Sequence, residues 1–279
     1  MKRLSCALLL ALALAACGSA RPVTVERGPG DDVGYPGEGT TVVIVDGVTY
    51  VVGGDPGVDC VDFEGECISI GDVKNRECGS TNAQADVVVV DGKVVEVICY
   101  PPRSAGQDIG EVGENKDGTV TVPQNAGHTV ITFKPETNGT ATDGDLTIDG
   151  EGVALIGNGV DKTIIGGNLK IASNKSVIRG LTVQGNVTFE KNSNNASISF
   201  CKVYGNLEVH SNDTSVIACQ VFGNVEVKGN NDTVVYTGVG NNFKVDGKLA
   251  VCAGNYGFDD QNDDHIVDVA EETGEIACK

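Results

Sequence analysis

The chain has 279 residues, with 39 Asp and Glu against 20 Lys and Arg, for a formal net charge of −19. An acidic surface of that kind repels phosphate backbones and excludes nucleic acid as a natural partner. Hydrophobic residues make up 40% of the chain, which is enough for a core, while 38 glycines, no tryptophan and many Val, Ile and Thr point to an all-β fold with frequent turns.

The first segment addresses the chain. Lys2 and Arg3 precede the apolar run Leu8–Leu14, which is shorter than a membrane span and ends in Leu14-Ala15-Ala16-Cys17. The small residues before Cys17 resemble a bacterial lipobox. The resemblance implies that residues 1–16 are a lipoprotein signal peptide and that Cys17 becomes the lipidated N-terminus. Gly18, in place of an aspartate, implies the outer membrane of a Gram-negative envelope, so the expected partner here is the membrane, through the lipid. Loss of Lys2 and Arg3 leaves about −21 on the mature chain.

Residues 17–40, with "RGPGDDVGYPGEG", cannot bury apolar surface and read as a flexible tether. In residues 41–101, "TTVVIVDGVTYVV" and "ADVVVVDGKVVEVICY" each place Asp-Gly between β-branched runs, the signature of a hairpin. Between them lie Cys60, Cys67 and Cys78, with Cys99 at the end of the second run. No zinc spacing is present, so the expectation is a small β module stapled by two disulfides, followed by a linker over 102–118.

Residues 119–258 repeat. Gly167-Asn168-Leu169, Gly185-Asn186-Val187, Gly205-Asn206-Leu207, Gly223-Asn224-Val225 and Asn241-Asn242-Phe243 recur at spacings of 18, 20, 18 and 18. Repeats that short suit a coil in which each copy is one turn of short strands, stacked about 4.8 Å apart. Three inward columns follow: Leu169, Val187, Leu207, Val225 and Phe243; Ile171, Phe189, Val209, Val227 and Val245; and Val183, Val203, Val221 and Val239. Asn168, Asn186, Asn206, Asn224 and Asn242 fall at a corner, where carboxamides can bond from turn to turn and where asparagine tolerates a left-handed backbone. A second asparagine column runs through Asn174, Asn212 and Asn230, with Asn194 in line if "KNSNN" bulges by two residues. The Asn-x-Ser/Thr motifs at Asn212 and Asn231 read as turn chemistry rather than glycosylation. Cys201 and Cys219 are equivalent in adjacent turns, forming either a disulfide rung or a ladder of buried thiols. Cys252 and Cys278 flank an acidic C-terminal cap, 259–279, and could clip it over the open end.

At "VALIGNGVDKTIIGGNLKI" and "NKSVIRGLTVQGN" the chain resembles right-handed parallel β-helix proteins of the pectin-lyase-like superfamily. The resemblance implies an all-β, right-handed single-stranded parallel β-helix of about 18 residues per turn, with residues 118–139 as an irregular first turn or cap. It does not imply pectin chemistry, because the architecture also carries adhesins and proteins without catalysis. The paired aspartates, arginine and glutamines of pectin esterases have no equivalents that can be placed on this chain.

Two constellations carry possible chemistry. The outward columns Lys170, Thr188, Glu208, Glu226, Lys244 and Ala172, Glu190, His210, Lys228, Asp246 set Glu208 beside Glu226, with His210 adjacent. Two carboxyls one strand apart approach the roughly 5–5.5 Å of retaining glycoside hydrolysis, and their proximity could raise one pKa. Solvated charge interleaving explains the same residues, and no loop walls a cleft. In "DDQNDDHIVDVAEE", Asp260, Asn262, Asp264, Asp268 and Glu271 fall at positions 1, 3, 5, 9 and 12 of an EF-hand-like Ca2+ loop, but His265 replaces the glycine of position 6. The expectation is a non-catalytic, lipid-anchored envelope protein whose β-helix serves structural, adhesive or glycan-binding work, with extracellular polysaccharide or an envelope protein as partner. The alternatives are a polysaccharide-active hydrolase or lyase using Glu208 and Glu226, and a calcium-stabilised surface module.

Overall fold

A computed structural model describes residues 40–45, 48–53, 60–79, 85–100, 107–108, 120–122, 130–132, 139–260, 265, 267 and 271–277. The signal peptide, Cys17, the tether, most of the 102–118 segment, Asn262, Asp264, Asp268 and Cys278 lie outside the described residues. The described residues fall into two compact units, divided between positions 102 and 103.

The first unit is a six-stranded sheet. Both Asp-Gly hairpins form: β1 (Thr40–Val45) pairs antiparallel with β2 (Val48–Gly53), and β5 (Ala85–Val90) with β6 (Lys93–Cys99). The two hairpins join through parallel pairing of β1 with β5. A short third hairpin, β3 (Val61–Phe63) with β4 (Glu66–Ile68), pairs with β6 at the opposite edge. The helix α1 (Ile70–Cys78) is an addition to the expected strands. Ser69 caps it by accepting from Asp72 N at 3.1 Å, and Gly79 ends it at φ 72°. Ile70 and Val73 bury against Val61, Val87 and Val89. Disulfides Cys60–Cys67 and Cys78–Cys99 staple the β3/β4 hairpin and join the helix end to β6.

The second unit is a parallel β-solenoid with three sheets, one along each face of the coil. Sheet C stacks β8 (Val120–Val122), β11 (Leu146–Ile148), β14 (Leu169–Ile171), β17 (Val187–Phe189), β20 (Leu207–Val209), β23 (Val225–Val227) and β26 (Phe243–Val245) in continuous parallel register. The apolar columns align residue for residue, Leu169 with Val187, Leu207, Val225 and Phe243, and from Leu146 to Val227 they are buried. Sheet D stacks Gly139–Thr142, Thr163–Ile165, Thr182–Val183, Lys202–Val203, Gln220–Val221, Gly238–Val239 and Tyr256–Phe258, and its column Val183, Val203, Val221 and Val239 is also buried. Sheet B runs from Gln107–Asp108 through Val177–Arg179, Ser197–Ser199 and Ser215–Ile217 to Lys248–Ala253.

Of the two readings of residues 118–139, an irregular first turn or a cap, the segment takes the first: it supplies strands to all three sheets, Val120–Val122, Val130–Thr132 and Gly139–Thr142, each paired in parallel with the following turn. One expectation needs correction. The left-handed backbone does not fall at Asn168, Asn186, Asn206, Asn224 or Asn242. It falls at Lys175, Asn195, Asp213 and Asn231, φ 57–60° for three of them and 54° for Asp213, each one residue beyond the second asparagine column. The glycine before each corner asparagine answers to close approach instead. A Cβ on Gly205 would stand 2.6 Å from the Gly185 carbonyl oxygen.

At the C-terminal end, β28 (Tyr256–Phe258) closes sheet D by pairing antiparallel with β29 (Glu272–Glu275). Ile276 packs on the solenoid core, its N–H donating to Asn255 O at 2.9 Å. Cys252 is disulfide-bonded.

Candidate functional site

The corner asparagines form a hydrogen-bonded ladder on the outside of the coil. Asn186, Asn206, Asn224 and Asn242 each donate a backbone N–H to the side-chain Oδ1 of the previous rung, at 2.9, 2.8, 2.8 and 3.2 Å. Asp145 begins the ladder by accepting from Asn168 N at 2.7 Å. Asn194, Asn212 and Asn230 do the same in a second ladder headed by Asn174, at 2.9, 2.8 and 2.9 Å, so the two extra residues of the longer turn lie outside the rung spacing. These bonds use one acceptor per rung and leave carboxamide edges facing solvent at Asn168, Asn186 and Asn242, which are exposed.

Beside this ladder, the outer face of sheet C carries the paired acids. Glu208 lies opposite Glu226, and Glu226 opposite Lys244, in register. Asn206, Asn224, Asn242, Glu208, Glu226 and Lys244 line a shallow depression of about 520 Å³. His210 Nε2 lies 3.1 Å from Glu208 Oε2. Glu226 receives Lys228 Nζ at 2.7 Å and Lys244 Nζ at 2.9 Å, and Lys244 also reaches Asp246 at 2.6 Å. Further down, Lys170 pairs with Glu190 at 2.8 Å.

This pairing reverses the titration expected of two adjacent carboxyls. Bonds from Lys228 and then Lys244 hold the Glu226 carboxyl down at about 2, and the bond from Lys170 lowers Glu190. Asp246 and Glu226 in turn raise the Lys244 ammonium. Proximity to Glu208 therefore does not make Glu226 a proton donor, because Lys228 and Lys244 both bond its carboxylate.

Cys201 and Cys219 are buried free thiols, not a disulfide rung. Each donates to a nearby carbonyl, Cys201 to Ser199 O at 3.2 Å and Cys219 to Ile217 O at 3.3 Å. Burial, followed by the contact with Cys201, pushes the Cys219 thiol well up, away from a reactive thiolate.

Of the calcium-loop residues, only Asp260 and Glu271 are described. Asp260 Oδ2 accepts from His265 N at 3.1 Å, and the Glu271 carbonyl accepts from Asp259 N at 2.9 Å. His265 adopts the left-handed backbone, φ 58°, that the loop's sixth position asks of glycine. Its ring stacks at 4.2 Å from Tyr204 and 5.0 Å from Phe222, and Lys202 Nζ donates to its carbonyl at 3.1 Å. Among the described residues no three His, Cys, Asp or Glu side chains converge to hold a metal ion.

Sequence reasoning read Lys228 and Lys244 as charge interleaving, which the structure sharpens to a clamp on Glu226, and it missed the buried Asp232. The clamp was written in the column order, since Lys228 follows Glu226 by two residues and Lys244 by one turn. No protein-family model, curated protein or solved structure matches the chain.

Proposed function

We propose that the protein is a lipid-anchored component of the bacterial envelope that binds extracellular polysaccharide along the outer face of sheet C without cleaving it. The supporting observation is the charge pairing of that face. Glu226 is held ionised at about 2 by Lys228 and Lys244, so it is not the protonated acid that glycoside hydrolysis requires. What remains is an open row of carboxamides repeated turn by turn, flanked by the charges of Lys170, Glu190, Glu208, Glu226, Lys228 and Lys244. An extended sugar chain carries hydroxyls along its length and can bond such a row without a walled cleft. In this reading the coil belongs to the pectin-lyase-like superfamily and keeps the architecture without the chemistry. The Cys17 lipid holds the unit at the membrane.

The test is a panel of polysaccharides assayed for both binding and turnover. Retained binding with no new chain ends is expected, together with weaker binding in Glu208→Gln and Glu226→Gln. Turnover that vanishes on Glu208→Gln would overturn the reading in favour of a β-helix hydrolase or lyase. Cys17→Ser should move the protein from the membrane fraction to the soluble fraction.

A further inference from the structure

The last strand of sheet C is unlike those beneath it. Leu207, Val209, Val225 and Val227 are buried, whereas Phe243 and Val245 pack on the same core but remain partly exposed. Among the described residues nothing pairs with the outer edge of this strand, which ends the sheet. Sheet D, by contrast, is already covered by antiparallel Glu272–Glu275.

The hydrogen-bond pattern shows which groups that edge offers. Leu169, Val187, Leu207 and Val225 each donate N–H to the next turn, reaching Asn186, Asn206, Asn224 and Asn242 carbonyls at 2.8–2.9 Å. Phe243 holds the same position with no following turn among the described residues. Since alternate residues of a parallel strand bond to the same neighbour, Phe243 and Val245 direct N–H and C=O outward. Asp246 N turns back to Val227 O at 2.8 Å. Lys244 and Asp246 flank Val245 on the exposed face of the sheet.

The triplet Lys244-Val245-Asp246 is therefore its own complement when reversed. We propose that two copies of this chain pair antiparallel through the edge Phe243–Val245, about a two-fold axis at Val245. Val245 exchanges both backbone bonds with its counterpart. Lys244 of each copy lies across from Asp246 of the other, in the closely spaced, non-bonded positions of an antiparallel ladder. A parallel, head-to-tail stack would instead place the charged columns of unrelated turns together and would not close. Strand β29 already occupies the edge of sheet D, and the proposed contact uses the sheet C edge alone. The resulting interface is small and the dimer weak. Pairing also joins two copies of the sheet C face into one longer surface, but the inference does not depend on what that face binds.

Sedimentation of the soluble Cys17→Ser chain over a wide concentration range is the test. A reversible monomer–dimer equilibrium is expected. Lys244→Asp and Asp246→Lys each set like charges across the axis and should raise the dissociation constant by about tenfold. The double exchange restores the cross-pairs, and the constant should return to near its starting value. The double exchange also rebuilds the ion pair between positions 244 and 246 within each chain, so a mixture of the two single variants is the control: each Lys244→Asp chain then faces an Asp246→Lys chain, and the mixture should dimerise more tightly than either variant alone. Hydrogen exchange on the unsubstituted chain gives an independent reading: the Val245 amide should gain protection as concentration rises. A monomer at every concentration, or a dimer indifferent to both single exchanges, would overturn the proposal. So would capture of a different extended peptide at this edge while the chain itself stays monomeric.

Discussion

The hairpin unit and the solenoid hold their strands by different means. In the first, one nine-residue helix and strands β3 to β6 share a small apolar cluster around Val61, Ile70, Val73, Val87 and Val89, and two disulfides tie strand to strand and helix to strand. In the second, one apolar cluster runs from Ile131 to Val239, and the two buried cysteines in it stay unbonded. A small sheet exposes too much of its surface for its core to carry it, and covalent links make up the difference. A stacked coil lengthens its core with every turn and takes its register from the asparagine ladders, with a covalent link only at Cys252 in its last turn among the described residues.

The sharpest way to test that contrast is to remove the staple. Replacing Cys78 and Cys99 by alanine should destabilise the hairpin unit by about 2–5 kcal/mol. Amide exchange should then show Ala85–Cys99 losing protection while Leu146–Val227 keeps its own. Equal loss in both units would mean that the disulfide supports the whole chain.

Next in size is a steric change inside the solenoid. Gly205→Ala brings a methyl to 2.5 Å from Asn186 Oδ1 and 2.6 Å from the Gly185 carbonyl oxygen, which are part of the ladder itself. Opening that corner should cost about 1–3 kcal/mol by thermal or denaturant unfolding. An unchanged midpoint would show that the turns can slide apart without penalty.

Asp232 offers a change in the opposite direction. It is buried, its Oδ1 accepts from Thr214 N at 2.8 Å, and its Oδ2 has no hydrogen-bond partner. A Cβ on Gly229 would meet both Oδ2 and the Ser211 carbonyl oxygen, which places two acceptors side by side. Burial raises the acid to about 7 from 3.8, and nearby Asp213 adds to the rise. The unfolded chain releases this proton near 3.8 and the folded chain holds it until about 7, so stability falls as pH rises between those values, by up to about 1.4 kcal/mol per pH unit. Asp232→Asn keeps the acceptor, adds a donor and removes the charge. It should gain about 1–2 kcal/mol at pH 7 and flatten the pH dependence between 4 and 7. A pH profile identical to that of the unsubstituted chain would place the titrating group elsewhere.

Smaller again is the loss of one rung. Asn206 Oδ1 accepts from both N and Nδ2 of Asn224, at 2.8 and 2.9 Å, so Asn206→Ala strands a partly buried N–H and should cost about 1 kcal/mol. Asn242 carries the last rung and supports no described neighbour above it. Asn242→Ala should therefore cost less, and equal costs would argue against a ladder that works turn by turn.

How much of this was legible depended on whether a residue's place is fixed by the repeat. The columns through Leu207 and Val209, the adjacency of Glu208 and Glu226 and the alignment of Asn194 all follow from an 18-residue period that allows one 20-residue turn. Gly144-Asp145-Leu146 repeats the corner 23 residues before the first Gly-Asn pair, with aspartate in the asparagine position, and marks an earlier turn off the 18-residue period. The helix was harder to find, because only Ser69, Asp72 and Gly79 announce its nine residues and tertiary packing supplies the rest. Asp232 was not legible at all. In "NNDTVV" an aspartate reads as an exposed turn residue, and its burial depends on Gly229 leaving room where Ser211 stands one turn earlier.

The smallest expected effect concerns the pair that first suggested catalysis. Glu226 is held at about 2 by Lys228 and Lys244, below its usual 4.5, so any stability it contributes is present above pH 4.5 and is lost as pH falls toward 2. That sign is opposite to Asp232, and the group is open to solvent, where water and salt screen both lysines. Glu226→Gln should therefore leave the melting temperature at pH 7 unchanged within error, while Asp232→Asn raises it. If Glu226→Gln instead lowered the melting temperature as much as Asn206→Ala, the sheet C face would be part of the scaffold. Its charges would then be selected for holding turns together, and a ligand would have to be sought on another face.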